Sequence, residues 1–210
     1  MITSNDYLSR QIYSIKLEYG QKINERIMDF INMGKSDNYS LFIELSFCIL
    51  TANTSAEMGI KTQRLINTGF IEYDLDKLKD ELKKNRYRFY NKRAEYIVDS
   101  RFIIPEIKNL LLNKDHEYIR DYLVKNIKGI GYKEASHFLR NVGIFDFAIL
   151  DKHIMRLMDE NNYIDDVKLS TGSDYIKNEL IFKKIARKFH MKPGVMDIYL
   201  WKIATGKILK

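Results

Sequence analysis

Leu123-Val124-Lys125-Asn126-Ile127-Lys128-Gly129-Ile130-Gly131-Tyr132-Lys133-Glu134-Ala135-Ser136-His137-Phe138-Leu139-Arg140-Asn141-Val142 is the stretch whose reading decides the fold. Two helical patterns meet at Gly129-Ile130-Gly131. Leu123 and Ile127 precede the glycines, and Ala135, Phe138, Leu139 and Val142 follow at i, i+3, i+4, i+7. Glycines at such a bend permit backbone dihedrals closed to other residues. The helix beyond starts with N–H groups that have no intrahelical partner. Backbone donors and a helix dipole together suit a phosphate, so Gly129, Gly131 and Lys128 are candidate phosphate contacts. The competing account is a tight helix-helix turn that needs no ligand. Other glycine motifs do not fit: position 134 is Glu where a dinucleotide fingerprint requires glycine, and Asp29 stands where a P-loop ending in Gly34-Lys35-Ser36 requires its first glycine.

Outward from the hairpin the chain reads as helical almost throughout. Only two prolines occur, Pro105 and Pro193, and alternating apolar/polar runs are scarce. Helical stripes recur at Ile23, Ile27, Phe30 and Ile31, and at Leu75, Leu78 and Leu82. Gly34, Gly143 and Gly172 mark expected helix ends, and Asp115, Asp151 and Ser173 expected N-caps. The expected fold is all-α, in two helical lobes with a DNA-binding cleft. Residues 38–145 form a central lobe, with the hairpin at about 115–142, and residues 1–37 pair with 146–210 as a second.

The composition narrows the class. With 45% hydrophobic residues, 14 Tyr and 11 Phe, the 210-residue chain is unlike disordered sequences. Thirty-five Lys and Arg against 28 Asp and Glu give a net charge of +7, which favours a polyanionic partner without requiring one. Cys48 is the single cysteine; inside the run Leu41–Leu50 it reads as a buried thiol, and it excludes an intrachain disulfide or a four-cysteine iron–sulfur cluster within this chain. His116, His137, His153 and His190 show no zinc-helix spacing, so no metal or cofactor is expected. Met1–Tyr7 lacks a leader pattern and no apolar run is long enough to cross a bilayer, so the expectation is a cytoplasmic, nucleoid-associated protein without membrane or obligate protein partners.

Two residues carry candidate chemistry. Lys133 lies in the first turn after the hairpin, close to where a bound strand would run. A lysine nucleophile attacks as the neutral amine, and a solvated first-turn lysine is the plainer account. Asp151 ends the apolar run Ala148-Ile149-Leu150 at the start of a helix. It can serve as an N-cap, as a carboxylate stabilising positive charge at a sugar carbon, or as both.

Gly129-Ile130-Gly131 with Lys133, followed by Leu150-Asp151-Lys152-His153-Ile154, resembles the hairpin and catalytic-aspartate signature of the superfamily that includes endonuclease III. Within it the match is closest to archaeal 8-oxoguanine DNA glycosylase/lyases. The resemblance extends through Phe47–Asn53, Arg88–Tyr96 and the terminal Thr205–Lys210. It implies a bifunctional enzyme acting on double-stranded DNA that contains oxidised guanine or abasic sites. The damaged nucleotide is flipped out, Lys133 attacks C1′, and a Schiff base leads to β-elimination, with Asp151 assisting. It also implies that Asn53 fills the gap left by the flipped base, with a helix-end cap as the alternative. Phe89 and Trp201 would be stacking faces and Lys210 a polar contact in the base pocket, although such aromatics also serve as core. The stretch Arg86–Arg93 suits a strand-binding wall or a solvated loop. A glycosylase for another base, or a passive hairpin that only grips DNA, stays open at this point.

Overall fold

The computed structural model describes residues 4–210, and among them the regular structure is helical with no strand. Met1–Thr3, part of the segment read for a leader, lies outside the described residues. In chain order the elements are α1 (Ser4–Gly34), α2 (Asn38–Thr51), α3 (Ala56–Ile66), α4 (Gly69–Glu72), α5 (Leu75–Lys84), α6 (Tyr90–Asp99), a 3-10 turn (Ser100–Ile103), α7 (Ile107–Leu111), α8 (His116–Asn126), α9 (Tyr132–Asn141), α10 (Lys152–Glu160), α11 (Gly172–Lys188) and α12 (Pro193–Thr205). No helix among the described residues is long and apolar enough to cross a membrane.

Two hydrophobic cores organise these helices. The larger is built around α2, which is apolar on nearly every side: Leu41, Phe42, Leu45, Phe47, Cys48, Ile49 and Leu50 are all fully buried. Helices α5 to α9 pack around it through residues such as Leu78, Ile97, Ile119, Leu123 and Phe138. The smaller core joins α1 to α10, α11 and α12 through Ile12, Ile23, Phe30, Ile154, Phe182, Met196 and Leu200. The chain crosses between cores just after α9, where Phe145 belongs to the smaller core and Phe147 to the larger.

Local chemistry explains the boundaries. Asp37, Asp74, Asp115 and Asp151 each cap a helix by accepting backbone N–H bonds. Gly143, at φ +86°, ends α9 in the left-handed region. Gly34 lets α1 approach α9, because a Cβ there would lie 2.1 Å from the Val142 carbonyl oxygen. One expectation is corrected: Gly172 does not stop a helix and Ser173 is not a cap. Thr171 caps α11, with its Oγ1 accepting the Asp174 N–H at 3.1 Å while Asp174 accepts the Thr171 N–H at 2.9 Å. That reciprocal pair fixes the helix start two residues earlier.

Candidate active site

The hairpin is the first component. α8 ends at Asn126, Ile127 and Ile130 turn into the core, and α9 begins at Tyr132 with Gly131 as its cap. Gly129 adopts φ +81°, and a Cβ on it would stand 2.5 Å from the Tyr96 ring and 2.7 Å from Arg93 Nη1. Glycine is therefore required here twice over, for its dihedral and for its lack of bulk. Lys128 is exposed and pairs with Asp99 at 2.9 Å. At Gly131 the N–H donates to Glu134 Oε2 at 3.2 Å, so in this structure a carboxylate occupies part of the position offered to a phosphate.

Lys133, the second residue of α9, is half-buried, with its Nζ 3.2 Å from Glu134 Oε1. Asp151 caps α10 in extended conformation. Its Oδ1 accepts the N–H groups of His153 and Ile154, both at 2.9 Å, which leaves Oδ2 without a partner among the described residues. The two side chains come from elements eighteen positions apart, yet they line the same cleft of about 760 Å³ and the same adjoining recess of about 70 Å³.

Trp201, on α12, lines both spaces, and its buried Nε1–H has no acceptor among the described residues. His153 meets its ring edge-on at 5.2 Å. Lys210 lines the recess; its Nζ bonds Glu44 at 2.7 Å and Gln63 at 2.5 Å, and lies 4.4 Å from the centre of the Phe47 ring. Asn53 is exposed at the edge of the cleft in the left-handed conformation, φ +62°. That turn is latched from below: the Tyr87 hydroxyl donates to the Leu50 carbonyl, and Arg93 Nη2 donates to the Ala52 carbonyl at 3.1 Å. Arg93 is thus a buried strut and not part of an open strand-binding wall. Phe89 stands apart from both spaces, packed on the larger core ahead of α6.

The sequence reading missed a polar network beneath the recess. Arg140 donates to Asp197 Oδ2 at 2.6 Å and to Asn141 Oδ1 at 3.0 Å, Asn141 donates to Glu44 at 2.6 Å, and Glu44 receives Lys210. Burial pushes the Asp197 carboxyl up to about 7, against the opposing pull of Arg140, and the Asp151 charge adds to the rise. Burial, reinforced by the charges of Arg140, Lys133 and Lys210, holds His137 well below the usual histidine range. The signal was present, since His137, Arg140 and Asn141 interrupt the apolar pattern of α9, but their partners are distant in sequence. Among the described residues no cluster of three or more His, Cys, Asp or Glu is placed to hold a metal ion.

Comparison with known proteins places this geometry. The profile of the family described as 8-oxoguanine DNA glycosylase matches residues 23–191. An "8-oxoguanine DNA glycosylase/AP lyase" from Picrophilus torridus is 54% identical over 207 residues, covering 99% of each chain. The crystal structure of the 8-oxoguanine DNA glycosylase of Thermotoga maritima superposes with a TM-score of 0.93 at 42% identity, covering 98% of this chain and 99% of that one. The 8-oxoguanine glycosylase/lyase of Methanocaldococcus jannaschii, solved with a 15mer DNA containing 8-oxoguanine, gives 0.93 at 43% identity, covering 97% of this chain and all of the other. With a sequence and a helical fold that match such relatives over nearly its full length, the chain belongs to the 8-oxoguanine DNA glycosylase family.

Proposed function

We propose that this protein removes 8-oxoguanine from double-stranded DNA and cleaves the strand at the abasic site, with Lys133 as nucleophile and Asp151 as the assisting carboxylate. The observation that carries the assignment of residues is that both side chains wall one cleft, one from the first turn beyond the hairpin and the other from a helix cap. A relative solved on DNA containing 8-oxoguanine supports the substrate.

The steps follow from the residue types. The neutral Lys133 amine attacks C1′, the bond from C1′ to the base breaks, and its electrons leave with the base, which takes up a proton. Loss of the amine proton and opening of the sugar ring give a Schiff base. Removal of a C2′ proton then expels the 3′ phosphate by β-elimination. Asp151 stabilises the positive charge at C1′ and relays protons, and its cap bonds hold it in place. The hairpin, through Gly129, Gly131 and Lys128, grips a phosphate. Asn53 enters the duplex, and Trp201 and Lys210 receive the base, with Phe89 joining them only if its segment moves. The two cores support a division into lobes 38–145 and 1–37 with 146–210, the DNA lying across the cleft between them. The protein works in the cytoplasm, on the nucleoid.

The test is incubation with duplexes carrying 8-oxoguanine, thymine glycol, uracil or an abasic site, with borohydride present. A covalent complex is expected on 8-oxoguanine and abasic duplexes and is expected to vanish in Lys133→Gln. A trap that persists in Lys133→Gln removes the nucleophile assignment, faster processing of another lesion removes the substrate, and binding without cleavage leaves a passive DNA-binding module.

A further inference from the structure

The backbone that delivers Asp151 is unusual. From Gly143 to Asp151 the chain has no regular structure, yet Phe147, Ala148 and Leu150 are buried. Irregular backbone normally stays at the surface, because buried N–H and C=O groups need partners. Here α11 supplies them. The Tyr175 hydroxyl donates to the Ala148 carbonyl at 2.7 Å and accepts the Leu150 N–H at 3.2 Å, while Glu179, one turn on, accepts the Ala148 N–H at 3.1 Å. Glu179 is held in turn by Arg120 of α8, whose Nη1 donates to both carboxylate oxygens at 2.7 and 2.8 Å.

Tyr175 also touches the nucleophile's side of the cleft. Its ring stacks on Tyr132, the residue before Lys133, with centroids 6.0 Å apart and planes at 20°. Gly172 makes room for that stack, since a Cβ there would stand 2.9 Å from the Tyr132 ring. The Arg120 guanidinium lies over the rings of both Tyr132 and Phe147, at 5.2 and 3.9 Å from their centres. Burial raises the Tyr175 phenol far above its ordinary range, so the hydroxyl keeps the proton it donates.

We propose that Tyr175 is a positioning residue for base removal: it sets the carboxylate of Asp151 against the amine of Lys133 by tying the Ala148–Leu150 backbone to the turn that carries Tyr132. The proposal rests on the assignment of Asp151 to catalysis. It requires no contact between Tyr175 and DNA. A displacement of about 1 Å at a reacting group is enough to cost up to about a hundredfold in rate.

The experiment is a double-mutant cycle on single-turnover excision from an 8-oxoguanine duplex, with wild type, Tyr175→Phe, Asp151→Asn and the double variant, run well below every melting temperature. Duplex Kd is measured alongside. Tyr175→Phe keeps the ring and its stack and removes only the hydroxyl. The expected result is an excision rate down about tenfold or more with Kd within about twofold, and a further loss of less than about twofold when Tyr175→Phe is added to Asp151→Asn. An unchanged rate in Tyr175→Phe, the same fold loss in both backgrounds, or a Kd that weakens in step with the rate overturns the positioning role. Full activity in Asp151→Asn is a different failure, since it removes the catalytic assignment of Asp151 itself, whatever Tyr175→Phe does.

Discussion

Lys133 and Asp151 each have an ordinary structural explanation, and neither explanation competes with the proposed chemistry. Asp151 spends one oxygen, Oδ1, on two backbone N–H groups, and those bonds immobilise the other beside the cleft. Lys133 faces the same space from a helix start, but its neighbour Glu134 holds both it and the Gly131 N–H. A phosphate at the hairpin, as proposed, would therefore compete with a carboxylate already there. His137 shows how the site's charges feed back on stability. Its imidazole is held neutral by burial and by the cations around it, so below its ordinary pKa of about 6.5 the unfolded chain takes up a proton that the folded protein refuses. That contribution lowers stability as pH falls, by about 1.4 kcal/mol per pH unit until the depressed folded value is reached. Asp197, raised to about 7, acts in the opposite sense, because the folded state takes up its proton first. Thermal melts at pH 7.5 and about 5.5 separate the two: the wild type is expected to lose more stability on acidification than His137→Gln. Equal losses would remove His137 as the source.

At the scale of elements, the hairpin is a packed unit and not only a loop between helices. Ile127 and Ile130 anchor it in the larger core, and Gly129 lies against Tyr96 and Arg93 of α6. Arg93 in turn reaches the Ala52 carbonyl beside Asn53, so the hairpin turn and the edge of the cleft share a strut. Gly129→Ala is expected to destabilise the protein by roughly 1–3 kcal/mol, the cost of a non-glycine residue at positive φ, and to weaken DNA binding as the turn shifts. Urea unfolding and duplex Kd measure both. Unchanged affinity with lowered stability would mean that the turn does not hold the strand.

Across the whole molecule the two cores are joined by buried ion pairs where an apolar seam would have been simpler. Arg140 of α9 reaches Asp197 of α12, and Arg120 of α8 reaches Glu179 of α11. Replacing a buried pair by apolar residues is often harmless, whereas removing one partner strands the other. Arg140→Leu is accordingly expected to cost about 3–5 kcal/mol in urea unfolding, and adding Asp197→Leu to recover much of it. Additive losses would show that the pair is not coupled. The helical class, the hairpin, the caps at Asp115 and Asp151 and the pairing of Lys133 with Asp151 were legible in the sequence, because each depends on periodicity, backbone dihedrals or a signature within thirty residues. Helix α11 was harder to bound, since Thr171 and Asp174 cap it reciprocally and Gly172 only imitates a stop. Asn53, Trp201 and Lys210 were expected at the site by resemblance alone and line the cleft or its recess, whereas Phe89, expected the same way, lines neither. The network of Glu44, Arg140, Asn141, Asp197 and Lys210, and the hold of Tyr175 and Glu179 on the Asp151 segment, were decided only by the tertiary structure. A buried polar side chain announces in the sequence that it needs a partner, but the partner is chosen by how distant helices pack.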